Sequence, residues 1–305
     1  MIYEPLTNVL VALDGSDRSF EVIKYIAATR LFKENQTRIC LFTVYEAVPY
    51  YLLDIGKELQ YYASYNEVKQ WELQQVRTYE EFLEKSKAEL IRSGISPGNI
   101  TVKLQKKETG IARDIIREAA NGYGAVMIGR KGVGLMKNIF LGSVAMKLLS
   151  GVQQMPIALI GRDIPDTGQV LIAMDHSDHA MNAVQFTAVN FPGTKNRAHL
   201  VHVIRDDQDT PPEVTERLIT DIMPTMNQAK EILMNSGYEE ERIQIRVMTK
   251  QRSRAKAIMD EADNNGIGTI VTGRRGISQV PEFMMGRVSN KLVHLGRYNA
   301  VWVIT

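Results

Sequence analysis

The chain has 305 residues, long for a single core and comfortable for two. Hydrophobic residues make up 44% and charged residues 24%, so most of the chain can bury a core and little of it should be disordered. The formal net charge is only +2, from 37 basic and 35 acidic residues, which leaves no electrostatic footprint for nucleic acid or an anionic membrane.

The elements alternate from the start. The spacing predicts a strand over 8–14, a helix over 17–32, a strand over 38–45, a helix over about 66–93, and a strand over 100–107. A helix over 110–121, a strand over 125–129, a helix over 143–150 and a strand over 156–160 follow. Short β-branched runs separated by segments of 3.6-residue period imply βαβ units and parallel strands. "NVLVAL" and "AVMIG" are apolar on both faces, as a sheet covered by helices on both sides requires. In the first helix Phe20, Ile23 and Ala27 form the stripe that docks on such a sheet.

The pattern then repeats. "NVLVALDGSDRSFEVIKYIA" at Asn8 resembles "QVLIAMDHSDHAMNAVQFTA" at Gln169, and "VMIGRKG" at Val126 matches "IVTGRRG" at Ile270. Asp14 and Asp175 lie 161 residues apart, whereas Gly129 and Gly273 lie 144 apart, so the first copy carries 17 extra residues. Val44 and Val203 still keep an offset of 159, which puts the insertion after the second strand, in the tyrosine-rich stretch that begins at Tyr45. That stretch is expected to be an amphipathic cover on its own domain or on a partner, with a ligand lid as the alternative. The expected division is a first domain over 1–162, a linker over 163–168 around Pro165 and Gly168, and a second domain over 169–305.

"GRKGVGLMKNIFLGS", Gly129 to Ser143, is the stretch richest in chemistry. It lacks the Gly-Lys-Ser/Thr ending of a Walker A loop, and "GVGLMK" puts lysine at the third glycine of a dinucleotide fingerprint. What remains is Gly129-x-x-Gly132, nine residues, then Gly142-Ser143 at a helix start. Gly129 ends a strand, and Gly132 lets backbone approach a ligand or take a positive φ. A serine N-cap beside free backbone N–H groups, at the positive end of a helix, is an anion site; a plain turn and cap is the alternative. Asp14, at the carboxyl end of the first strand, stands where open parallel sheets bind ligands, or else it caps the first helix.

These residues resemble a known family. "VALDGS", "GRKG" and "GSVAMKLL" are similar to the ATP-binding type of universal stress protein, whose phosphate motif is G-x-x-G, nine residues, G-[ST]. The resemblance covers nearly the whole chain and implies an α/β protein of two tandem flavodoxin- or Rossmann-like domains. Each would be a five-stranded parallel sheet with helices on both faces, and the final strands "PIALIG" and "AVWVIT" would pair across a pseudo-twofold axis. Carried over by position, the family pattern sets Asp14 near the adenine, the Val44 backbone beside the base and Gly129 at the ribose. Gly132, Gly142, Ser143 and Val144 fall on the phosphates. Lys131 reaches phosphate or stays in solvent. The implied ligand is ATP, with AMP or ADP as alternatives and Mg2+ as a companion of the phosphates.

The second copy departs from the pattern. Asp175, Val203, Gly273, Gly276 and Gly286 keep their places, but Arg287 replaces the serine and His176 stands where the first copy has Gly15. Its site is either altered or still a nucleotide site, since arginine can hold an anion or pair internally. His176, His179, His199 and His202 carry no metal-ligand motif and are expected to be structural or solvated. Cys40 is expected to be a buried strand residue; as the single cysteine it forms no internal disulfide and fits a reducing compartment.

The leading expectation is a cytoplasmic, dimer-forming or self-paired stress-response protein that binds adenine nucleotide without dedicated catalysis. No nucleic acid or membrane partner is expected, because the charge is nearly balanced and no run approaches the roughly 18 apolar residues of a membrane span. A slow ATP hydrolase or nucleotidyl transferase, and a scaffold with vestigial pockets, are the alternatives. Any base for the former would have to be Asp14.

Overall fold

The computed structural model describes residues 3–47, 62–130, 141–165, 168–191, 193–205, 210–276 and 285–305. In the first half β1 (Asn8–Ala12), α1 (Asp17–Ala28), the short α2 (Leu31–Glu34), β2 (Arg38–Tyr45), α3 (Tyr62–Arg92) and β3 (Ile100–Lys106) come first. α4 (Ile111–Ala119), β4 (Ala125–Gly129), α5 (Ser143–Gly151) and β5 (Ile157–Ile160) complete it. The second half repeats the order with β6 (Gln169–Met174), α6 (Asp178–Asn190), β7 (Arg197–Val203), α7 (Pro212–Asn235) and β8 (Ile243–Met248). It closes with α8 (Arg254–Asn264), β9 (Thr269–Gly273), α9 (Arg287–Leu295) and β10 (Ala300–Ile304).

Each half has five parallel strands, and the two sets join into one ten-stranded sheet of order β3-β2-β1-β4-β5-β10-β9-β6-β7-β8. The joint is the antiparallel pair β5–β10, in register Ile157↔Val303 to Ile160↔Ala300. The expected pairing of the last strands is therefore what closes the molecule. Without it each half would present an unpaired, apolar edge strand to solvent.

Alternation along the strands splits the interior into two layers. Val9 and Val11 face a core shared with α1, α3, α6 and α7, through residues such as Ile23, Leu83, Phe186 and Leu233. Leu10 and Ala12 face a core shared with α4, α5, α8 and α9, through Ile115, Leu148, Ile258 and Leu292. Both layers run through both halves. Trp302 on β10 is fully buried against Phe186 and Phe191, and its Nε1 donates to Tyr25 Oη (3.1 Å) on α1 of the other half.

Three expectations shift in detail. The first strand ends at Ala12, so Asp14 lies two residues beyond it. The first helix stops at Ala28 because Thr29 turns to extended backbone, with both its N–H and its hydroxyl bonded to the Tyr25 carbonyl. Its buried face centres on Val22, Ile23, Tyr25 and Ile26, with Phe20 and Ala27 at its rims. α3 has 31 residues against 24 for α7, so part of the insertion lengthens this helix. The tyrosine-rich stretch over 48–61 lies outside the described residues.

Candidate functional site

In each half the strand order reverses beside the first strand: β1 lies between β2 and β4, and β6 between β7 and β9. A crevice forms where neighbouring crossovers leave for opposite faces, just past the carboxyl ends of these strands. Asp14 follows β1 into it. Its Oδ1 accepts from Ser16 N–H (3.1 Å) and Ser16 Oγ (2.6 Å), and Ser16 Oγ in turn accepts from Ser19 N–H (3.1 Å). The N-cap of α1 is thus Ser16, and Asp14 fixes the cap rather than being it. Asp175 repeats the arrangement with Ser177 (2.9 and 2.5 Å), which caps α6 through Ala180 N–H.

Gly15, at φ +78, makes the turn between aspartate and cap, and a Cβ there would press on the Tyr79 ring at 3.1 Å. His176 replaces it with a backbone that needs no left-handed φ. Its ring is tied to α7, with Nδ1 3.2 Å from Thr225 Oγ1 and Nε2 3.0 Å from Asp221 Oδ2.

None of the described glycines of the motif has a positive φ, and Gly129, Gly273, Gly276 and Gly286 serve close approach. A Cβ on Gly129 would lie 3.2 Å from the Arg18 carbonyl oxygen, and one on Gly273 would lie 2.5 Å from the backbone of His179. These residues let the first turn of α1 or α6 pack against the strand end. In the second half a Cβ on Gly276 would sit 2.7 Å from Asp175 Oδ2, and one on Gly286 would sit 3.3 Å from the Gly276 nitrogen. The two ends of the loop therefore meet glycine to glycine, beside the strand-end carboxylate. Lys131 and Gly132 fall in 131–140, outside the described residues.

The loop returns by the same hydrogen bond in both halves. Gly142 N–H donates to the Arg130 carbonyl (2.7 Å), and Gly286 N–H to the Arg274 carbonyl (2.8 Å). The N-caps of α5 and α9 are these glycines, and no side chain among the described residues caps either helix. This corrects the expectation of a serine cap: Ser143 and Arg287 are each the first helical residue. The exchange of serine for arginine therefore costs the second half no cap. In the second half the first turn, Gly286 to Ser289, lines the crevice, with its free backbone N–H groups at the positive end of the helix.

All six residues expected in the second site, Asp175, Val203, Gly273, Gly276, Gly286 and Arg287, line one cavity of about 350 Å³. Arg254, Arg275 and His202 line it too and were missed. Aligning "SRAKAIMDEA" with "GIARDIIREA" sets Arg254 at the place of Ile111, and the glycine loops set Arg275 at the place of Lys131. Arg254 Nε donates to the Val203 carbonyl (3.1 Å), at the end of β7. His202 Nδ1 donates to the Met174 carbonyl (2.8 Å). Burial, with His176 and Arg254 nearby, holds this ring below the ordinary imidazole range despite that bond. In the first half Val44 is buried near the end of β2, and Val144 is half-buried in the first turn of α5.

The remaining expectations concern structure. His199 is buried, with Nε2 3.1 Å from Gln169 Oε1, and Cys40 is a buried strand residue. Among the described residues no group of three His, Cys, Asp or Glu side chains is placed to hold a metal, and no helix is long and apolar enough to cross a membrane.

Comparison with known proteins agrees with this architecture. No curated protein sequence matches the chain. The crystal structure of a universal stress protein from Archaeoglobus fulgidus DSM 4304 is similar over 98% of this chain and 98% of that one, with a TM-score of 0.68 and 21% identity. A functionally unknown protein from Pseudomonas aeruginosa PAO1 is similar over 98% of this chain and 92% of its own, with a TM-score of 0.55 and 15% identity. At these identities the likeness concerns the fold. The model of the universal stress protein family matches residues 5–156 and 167–299, and by that match over both halves the chain belongs to the universal stress protein family.

Proposed function

We propose that the chain is a regulatory stress protein that binds an adenine nucleotide, ATP first among the options, across the switch point of its first half. The observation that carries this reading is the start of α5. Gly142 is pinned to the Arg130 carbonyl, one residue past the end of β4, and no side chain among the described residues caps the helix. Such an N-terminus binds phosphate through its N–H groups and its dipole. The spacing Gly129-x-x-Gly132, nine residues, Gly142-Ser143 is that of the ATP-binding type, with Lys131 between the first two glycines.

The carboxylate of Asp14 supports binding without dedicated catalysis. One of its oxygens is held by two hydrogen bonds from Ser16, an arrangement that engages it in shaping the turn before α1. Mg2+, in this reading, arrives with the phosphates. Mass spectrometry of nucleotide carried through native purification tests the reading, with Gly142→Val as control. ATP on the unmodified chain and a reduced yield from the variant are expected; retention by the variant at the level of the unmodified chain overturns the assignment of the loop. Turnover well above about 1 s⁻¹ would instead mark an enzyme.

A further inference from the structure

The second cavity differs from the first in a consistent direction. At three equivalent positions the first half has Ile111, Lys131 and Ser143, and the second has Arg254, Arg275 and Arg287. All three arginines line the same cavity, and Asp175 is the single carboxylate among its described lining residues. The exchange adds two positive charges to a pocket of about 350 Å³, at the small end of the ~300–1,000 Å³ usual for small-molecule sites.

The guanidinium is also the cation best matched to phosphate, because its planar fork of donors engages two oxygens at once. The N-terminus of α9, which no side chain among the described residues caps, adds backbone donors of the same polarity. Meanwhile Arg254 Nε donates to the Val203 carbonyl, which puts a guanidinium on the strand edge where an exocyclic amino group would otherwise dock and leaves that group at most one lone pair of this oxygen. The first half has Ile111 there, which has no donor to spend in this way.

We propose that the second cavity is a polyphosphate site, selecting a linear chain of three or more phosphoryl groups by charge and not by a base. The inference rests on the reading that the glycine loops of this fold hold phosphate. It assigns the two halves different ligand classes: a nucleotide read through its base in the first, and a phosphate chain in the second. The chain is supplied either by inorganic polyphosphate or by the tail of a nucleotide.

Isothermal titration of the full chain with inorganic tripolyphosphate tests this. One site is expected, weakened at least tenfold in the double variant Arg254→Ala/Arg287→Ser and unchanged in Gly142→Val. Both arginines are exposed, so thermal unfolding of the double variant should match that of the parent. Absence of tripolyphosphate binding, or equal affinity in the double variant, overturns the proposal, as does displacement of tripolyphosphate by adenosine. In Gly142→Val protein, displacement by ATP supports the site with a nucleotide as source, and failure to displace supports it with an inorganic source. Because the two variants alter different halves, absence of ATP from the unmodified chain after native purification, with tripolyphosphate binding intact, would sink only the reading of the first half.

Discussion

Arg130 and Arg274 hold equivalent positions in the two glycine loops, and each caps the last helix of the other half. Arg130 Nη2 donates to the His294 carbonyl (2.7 Å) near the end of α9. Arg274 donates from Nη1 to the Val152 carbonyl (2.8 Å) and from Nη2 to the Leu149 carbonyl, at the end of α5. Their own carbonyls meanwhile hold the N-termini of α5 and α9. Each arginine thus touches the start of one helix and the end of its counterpart. Burial and the neighbouring Arg297 pull Arg130 down to about 10, so it remains charged at neutral pH.

Removing either brace should therefore be costly. Both side chains are buried, at 6% and 4% exposure, and truncation removes their hydrogen bonds to the helix-end carbonyls. Arg274→Ala is expected to lower stability by about 2–3 kcal/mol, the range for hydrogen bonds from a charged donor to buried partners. Arg274→Lys should recover only part of this, since a point charge cannot span two carbonyls. Denaturant unfolding midpoints check it, and a loss under about 0.5 kcal/mol, the level of a neutral surface change, would show the brace to be inert.

The two strand-end glycines should tolerate a methyl group unequally. At Gly129 a Cβ meets a carbonyl oxygen at 3.2 Å, a clash relieved by a small shift; at Gly273 it meets the His179 backbone at 2.5 Å, which requires α6 to move. Gly273→Ala is expected to destabilise by about 1–3 kcal/mol more than Gly129→Ala, as overpacking against backbone does. Thermal unfolding of the pair decides it, and equal costs would contradict the packing.

Stability should fall on mild acidification. His179, His199 and His202 all titrate below the ordinary imidazole range, with burial as the first cause. For His199 the Glu261 carboxylate works against burial, while Arg197 and Arg246 work with it. A histidine depressed in the folded state binds its proton more weakly there than when unfolded. Its contribution is complete above the unfolded value of ~6.5 and is lost as pH falls below that. Unfolding free energy measured between about pH 7.5 and pH 5 should therefore decline, and the decline should be shallower in His199→Gln. A flat profile in the parent chain would overturn the prediction.

Much of the fold was legible because its signals are local. Apolar runs such as "NVLVA" and "AVMIG", helical periods and a repeat at shifting offset suffice for parallel βαβ units in two halves. The glycine spacing also pointed to a loop that closes on a helix start. The identity of the cap was not legible: whether Gly142 or Ser143 holds the non-helical position depends on the Gly142 N–H bond to Arg130, a contact between the two ends of the loop. Arg254 was missed because it lies 51 residues from the Val203 carbonyl it engages, and nothing local in "SRAKAIMDEA" distinguishes it from a solvated cation.

The sequence by itself determined the element order, the internal repeat and the residues that crowd the strand ends, since these follow from patterning over a few residues. Only the tertiary structure decided that the halves share one ten-stranded sheet and two continuous cores. It alone showed the paired arginines reaching across the joint, and three further arginines converging on the second cavity. The physical reason is that a guanidinium several bonds from its backbone takes its partner from whatever carbonyl or cavity the packed chain brings within reach, and that proximity is a property of the assembled sheet.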